Sequence, residues 1–410
     1  MDYGAVGDGV TDDTGAIQDA IDAANAAGGG IVCFPVARYF TAGVLDLKEN
    51  VTLNGELTGP CESESDPSVT TVAPTLMITA TSGPFITQSG SGLANTAIQN
   101  LVFVYPNQVS ANSPPPTVYP YTIRVSLSGC HMRGLTFVNS YNAIQVNAGR
   151  CFIIDCIIGA MNIGVFIDYA EDSTFIERTR WIPAFDYMYG IAFPSNMDTF
   201  METSGSVMLR VHACPNVVMS NSGGLGSQQW GIDLGDSASL TPSNSLGAVS
   251  NLNMIGPGIC IRATSTRKTG GAEGWQFSNA NLSNDGTTNV RLEAGGNEEP
   301  ELLFVNSVLR GTTSSGDEWF WNAGYLEFQN TWGADLPGRA LFYFPVPVSG
   351  AAAGNQYPFP VQVFINGTVT DVALDGISTG GPRSSVVLQP GQTVTLTYGG
   401  ATPSWSWFTL

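Results

Sequence analysis

Carboxylates are the abundant chemical groups of this chain. Asp and Glu total 34 against 15 Lys and Arg, for a formal net charge of −19. Lysine occurs only as Lys48 and Lys268, and histidine only as His131 and His212. Acid–base chemistry must therefore fall mainly to carboxylates, with arginine as the principal cation. "VFID" ends at Asp168, and "GIDLGD" contains Asp233 and ends at Asp236. "ICIR" supplies Arg262, and "VRLE" supplies Arg291 and Glu293. Neighbouring carboxylates on a sheltered wall split their pKa values, so that one stays protonated while the other ionises, as glycoside cleavage requires. Arginines beside them orient an acidic or hydroxyl-rich sugar through paired donors. The competing reading of Asp233, Arg262, Arg291 and Glu293 is a surface ion-pair ladder, which sheets commonly carry.

A second cluster reads "DYAEDSTFIERTRWIPAFDY". Glu177 and Arg180 point outward from it, and Asp186 follows in a loop, so Glu177 with Asp186 is the alternative carboxylate pair. A solvated charged turn explains the same residues. Trp181, Tyr187, Tyr189 and Trp230, on or beside long loops, have the ring faces that stack on sugars.

These residues need a scaffold, and a six-residue repeat supplies one. It reads IQNLVF from Ile98, MRGLTF from Met132, IIDCII from Ile153 and IERTRW from Ile176. It continues as CPNVVM from Cys214, VSNLNM from Val249, FSNANL from Phe277 and FVNSVL from Phe304. Positions four and six point inward, as strand alternation requires. Position three is a corner held mostly by Asn, with Gly134, Asp155 and Arg178 as variants; Asn, Gly and Asp tolerate the left-handed backbone of a sharp turn. A second strand follows most copies, ending at Asn147, Asp168, Phe193, Asp236, Arg262, Glu293 and Asn330. Strand-only repeats of this period predict a parallel β-helix; a β-sandwich with coincidental corners is the rival. Adjacent coils lie about 4.8 Å apart, so Asp168, Asp233, Arg262, Arg291 and Glu293 are expected on one outer face, with the two aspartates roughly 8–11 Å apart. That range reaches the inverting-glycosidase window.

A solenoid's end coil needs a cover. "TDDTGAIQDAIDAANAA" places Ile17, Ile21 and Ala24 on one helical face, with N-cap chemistry in Thr11 to Thr14. "GGG" stops the helix and "IVCFP" opens the sheet. The order "DYGAVGDGVTDDTGAIQDAIDAA…GGGIVCFP" resembles the start of the pectate-lyase-like superfamily of right-handed β-helices, which includes polysaccharide lyases, glycoside hydrolases and phage tailspikes. The resemblance implies an all-β, right-handed, single-stranded parallel β-helix behind an N-terminal capping helix. The Asn-Thr-Asp, Gly-His-Gly and Arg-Ile-Lys motifs of the polygalacturonase branch do not occur, and the one Asp-Asp, Asp12-Asp13, lies in the opening loop rather than on a coil, which disfavours that branch.

The expected divisions are 1–60 for the cap and first coil, 61–338 for the β-helix, and 339–410 for a small antiparallel β module. In that module Trp405 and Trp407 share one strand face, as its core or as a binding surface. The seven cysteines form no CxxC pair. Cys130 and Cys151 stack in neighbouring coils, as buried thiols or as a disulfide. No cofactor and no metal site are expected, since the histidines bring too few convergent ligands. The negative charge argues against nucleic acid as a partner. No apolar run spans a bilayer, so membrane insertion is not expected. Met1 directly precedes the Asp-Tyr-Gly loop, so no secretory leader is expected within this stretch.

Three functions remain. The first is an extracellular or virion-associated glycoside hydrolase acting on a polysaccharide or oligosaccharide through paired carboxylates. The second is a polysaccharide lyase, kept in view by Arg262, Arg291 and tyrosine. The third is a non-catalytic glycan-binding spike or adhesin. A homo-oligomer, in first place a trimer, is expected through the exposed apolar pairs Ile154/Ile157 and Val305/Val308.

Overall fold

The chain turns a similar corner once per coil, and the corner residues have left-handed backbone: Asn100 (φ 57), Gly134 (φ 63), Asp155 (φ 55), Arg178 (φ 47), Asn221 (φ 49), Asn251 (φ 52), Asn279 (φ 52) and Asn306 (φ 50). Such geometry costs most side chains about 1–2 kcal/mol and is tolerated best by Gly, Asn and Asp. The asparagines also bond to one another. Asn251 donates to Asn221 at 2.9 Å and Asn279 to Asn251 at 3.2 Å, while Asn100 donates to Asn54 at 3.2 Å. Arg178 holds its corner through its guanidinium, which binds both Asp155 and Glu177. One corner differs from expectation: it falls on Asn221 rather than Asn216, so the copy in that coil is Met219–Gly224. The apolar spacing of "CPNVVM" imitates the repeat, but Val217–Ser220 is the strand that runs into the corner.

The computed structural model describes residues 3–56, 73–90, 93–108, 116–168, 170, 172–182, 200–202, 204–212, 214–226, 228–235, 247–264, 274–283, 288–293, 301–310, 319–321, 325–329, 346–355 and 360–409. Eleven parallel strands, from Gly30–Phe34 to Tyr325–Gln329, form one sheet. A second parallel sheet of nineteen strands folds round a bend into two further walls. The strands Thr136–Val146 and Ile157–Asp168 run through that bend, where their register shifts between Phe137 and Asn142. This is the stacked coil of a parallel β-helix. Its core is one continuous apolar column from Ile17 and Ile21 of the cap to Leu309.

The capping helix spans Thr14–Ala26 and buries Ile17, Ala20 and Ile21. Its N-cap Asp13 makes no side-chain cap bond; its carboxylate instead accepts the Val6 and Gly7 amides at 2.6 and 3.1 Å and pins the Gly/Asp loop. Asp12, one residue upstream, accepts from the Thr14 amide and hydroxyl. At the far end Gly28 (φ 91) and Gly29 (φ 127) return their amides to Asn25 and Ala24, the glycine-rich stop such an end needs.

Beyond the coil, residues 346–355 and 360–409 form two small antiparallel sheets over a separate core. Trp405 and Trp407 are buried there, against strand Val361–Asn366, so they build the module rather than present a binding face. Cys130, Cys151 and Cys156 are buried free thiols. Ile157 is only 1% exposed and packs with Val102 and Val138, which removes it from the expected oligomer surface; Ile154, Val305 and Val308 are half-buried. No helix among the described residues is long and apolar enough to cross a membrane.

Candidate functional site

The wall that bears the acids consists of Tyr121–Val125, the C-terminal parts of Thr136–Val146 and Ile157–Asp168, then Val207–His212, Trp230–Gly235, Ile259–Thr264 and Thr288–Glu293. Inward Ile144, Val146, Val165, Ile167, Leu209, Val211, Ile232 and Leu234 are fully buried. Alternation therefore turns their neighbours outward. One outward row runs Arg124, Gln145, Phe166, Arg210, Asp233, Arg262 in direct register, and the backbone of Arg291 continues it. Two residues along, Asp168 lies opposite His212, and Thr264 opposite Glu293.

This register revises the expected columns in two places. The expected strand ending at Phe193 lies outside the described residues, and Val207–His212 is the strand that joins Ile157–Asp168 to Trp230–Gly235. It brings Arg210 and His212 into the site. Both are legible, since "VMLRVH" alternates like its neighbours, whereas the sequence expectation places the second strand of that coil upstream at "GIAF". Arg262 stands in the row of Asp233 rather than beyond it, because Cys260 and Ala263 are buried and shift the outward position.

Asp233 is 3% exposed and doubly clamped. Its Oδ2 accepts from Arg210 Nε at 3.0 Å and its Oδ1 from Arg262 Nη1 at 3.3 Å. Both guanidiniums also sit over the Trp230 ring, at 5.8 Å for Arg210 and 4.3 Å for Arg262. Trp230 thus serves the arginines directly, as a cation–π platform.

Asp168 has a different environment. Burial raises its carboxyl pKa, partly offset by the Asn147 amide, which donates to its Oδ2 at 3.4 Å, and by the field of Arg124. Opposite it, burial lowers the pKa of His212, helped by Arg210 and opposed by Asp233. His212 packs edge-on to Phe166, with centroids 4.9 Å apart, and Tyr121 lies 6.4 Å from Phe166. Burial pushes the Tyr121 hydroxyl well above its ordinary pKa, so it stays protonated. Asn162 donates to Asn142 at 2.8 Å beside this aromatic group. The wall thus offers a protonatable acid, a neutral imidazole, a phenol, amides and two fixed guanidiniums. That set suits proton transfer on a hydroxyl-rich ligand.

Asp168 and Asp233 share the face but are not juxtaposed. Two coils and a two-residue offset put their Cα atoms roughly 12 Å apart, and Asp168 is bonded to Asn147 on the side away from Asp233. Glu177 lies on the eleven-stranded sheet, paired with Arg178 in a network that includes Asp155 and Arg133. Arg180 is exposed on the intermediate wall. Trp181 is 1% exposed and belongs to the core, so it cannot stack on a ligand. The backbone of Arg291 and Glu293 is in register as described. Asp186, Tyr187, Tyr189 and Asp236 lie outside the described residues.

Comparison with known proteins agrees with the class of fold. Residues 1–108 match the family described as rhamnogalacturonase A/epimerase, pectate lyase-like. The resemblance carried by the opening motif to the pectate-lyase-like parallel β-helix superfamily is thus met independently. The mannuronan C5-epimerase AlgE1 of Azotobacter vinelandii is 52% identical over 61 residues, 13% of this chain and 4% of the relative. The plasmin and fibronectin-binding protein A of Streptococcus pneumoniae is 55% identical over 53 residues, 13% of this chain and 7% of the relative. The chain therefore spans only a small part of these relatives. Among solved structures, the tailspike of the E. coli bacteriophage HK620 aligns over 97% of this chain and 89% of its own, at 13% identity and a TM-score of 0.49.

Proposed function

We propose that this chain is an extracellular or virion-borne polysaccharide-cleaving enzyme, and that the reaction is glycoside hydrolysis on the wall between Tyr121 and Arg262. The observation that carries the reading is Asp168: a half-buried carboxyl with a raised pKa, set among aromatic, amide and guanidinium groups on an outer wall. A carboxyl whose proton is held more tightly than in water is the kind of donor that a leaving glycosidic oxygen needs. In this reading Asp168 protonates that oxygen. Arg210 and Arg262 grip the sugar, and Asp233, relieved of one guanidinium as the sugar takes it, activates the water. The pectate lyase-like match over residues 1–108 supports a polysaccharide as substrate class. Assembly as a homo-oligomer, in first place a trimer, belongs to the same proposal, and sedimentation equilibrium tests it.

One observation favours a second reading, β-elimination. His212 is kept neutral directly opposite Asp168, so a base and an acid stand side by side near two guanidiniums that would neutralise a uronate.

Product analysis on a panel of polysaccharides separates the readings. Hydrolysis yields new reducing ends without near-ultraviolet absorbance, elimination yields an absorbing unsaturated uronide, and a purely binding protein yields neither. For hydrolysis, Asp168→Asn and Asp233→Asn should each lose activity, with azide or formate restoring part of it to the variant that lacks the base. Full activity in both variants sinks the assignment.

A further inference from the structure

Resting on the same site, the row of outward residues bears on the charge density of the polymer. Arg124 is exposed and forms no ion pair among the described residues. Three coils further on stands Arg210, with only Gln145 and Phe166 between them in register. Three coil spacings are roughly 14 Å, a span that more than one sugar ring fills. The intervening surface in that row is one amide and one aromatic ring, Gln145 and Phe166. Amides satisfy hydroxyls and rings stack on sugar faces, but neither neutralises a carboxylate.

The rest of the molecule presses the same way. A net charge of −19 repels a dense polyanion over distances set by salt screening. A polymer acidic at every sugar would lay carboxylates against Gln145 and Phe166 without cations to meet them, and burying an unpaired charge is costly. A wholly neutral polymer would leave Arg124 and the Arg210/Arg262 pair without an anionic partner from the ligand.

We infer that the wall reads a sparsely charged acidic heteropolysaccharide, in which acidic groups that meet Arg124 and Arg210/Arg262 are separated by neutral sugars seated on Gln145 and Phe166.

The test uses affinity electrophoresis of the whole chain as the Asp168→Asn variant, with four polymers in the gel. These are gellan, whose single uronate per repeat is flanked by neutral sugars, the same gellan after carboxyl reduction, polygalacturonate, and dextran. Gellan should be held about tenfold more tightly than each of the others, as one charge-assisted contact allows. Adding Arg124→Gln, at an exposed position that leaves the fold intact by circular dichroism, should remove about that tenfold on gellan and change nothing on reduced gellan. Tightest retention of polygalacturonate, equal retention of gellan and dextran, or retention of none of the four overturns the inference. The two proposals fail separately. Cleavage of dextran or polygalacturonate by the unmodified chain leaves an enzyme standing and removes the sparse-charge reading. Selective retention of gellan without new ends in any product does the reverse.

Discussion

Asp233 and Arg262 face each other across adjacent coils, with Oδ1 and Nη1 at 3.3 Å, while Arg210 holds the other carboxylate oxygen at 3.0 Å. One buried acid therefore fixes two arginines contributed by strands on either side of it. The acid that the sequence marks for catalysis is also the residue that positions the cations, and mutation must separate these roles.

Asp233→Ala should destabilise the chain by about 2–4 kcal/mol in urea unfolding, because it removes the carboxylate that two mostly buried guanidiniums share. Asp233→Asn keeps the shape and one acceptor, and should cost less. If Asp233→Ala unfolds at the unmodified midpoint, the clamp contributes nothing to stability.

Asp168→Asn should raise the melting temperature near neutral pH by a small margin while reducing turnover by about 10²–10⁴-fold. The sign follows from burial. The folded carboxyl takes up its proton at higher pH than the unfolded one, so its contribution is fully favourable below the ordinary value of 3.8 and is lost as pH rises through the raised folded value. Above that, the ionised form is a cost that Asn removes. A lowered melting temperature at pH 7 contradicts the desolvated environment.

His212 carries the opposite sign. Its folded pKa lies below the ordinary 6.5, so the stability it contributes is present above that value and is lost as pH falls through the folded pKa. His212→Gln should flatten the part of the melting-temperature profile between pH 5 and pH 7 that this group causes, read by calorimetry in matched buffers at about those values. An unchanged slope shows that His212 is solvated.

Asn251 carries both a corner and a ladder, with φ 52, a bond to Asn221 and a bond from Asn279. Asn251→Gly keeps the backbone and loses the amide bonds, for about 1 kcal/mol. Asn251→Val loses both and should cost about 2–3 kcal/mol. Equal losses in chemical denaturation would reject the backbone argument.

Trp181 separates a core role from a ligand platform. Trp181→Ala should cost about 3–5 kcal/mol in unfolding free energy through the cavity it opens. The Michaelis constant should be unchanged at temperatures where the variant is folded. A selective rise in that constant would return Trp181 to the binding surface.

The sequence by itself determined the coil, its capping helix, the change of character toward the C-terminus and the outward face that carries Asp168 and Asp233. Each of these is a local pattern: a corner that needs Asn, Gly or Asp, an alternation of period two, or a helix with one apolar face. Only the tertiary structure decided register. Whether Arg262 falls beside Asp233 or beside Gly235 depends on whether Ile261 and Ala263, or Ile259 and Ile261, align with Ile232 and Leu234 in the interior. Whether Val207–His212 enters the wall depends on which strand wins the edge left by Ile157–Asp168. A shift of one or two residues changes the partners of every side chain in a row while leaving the alternation almost untouched. The partners, the double clamp on Asp233 and the desolvation of Asp168 therefore lie in the packing between coils, which no single stretch of sequence specifies.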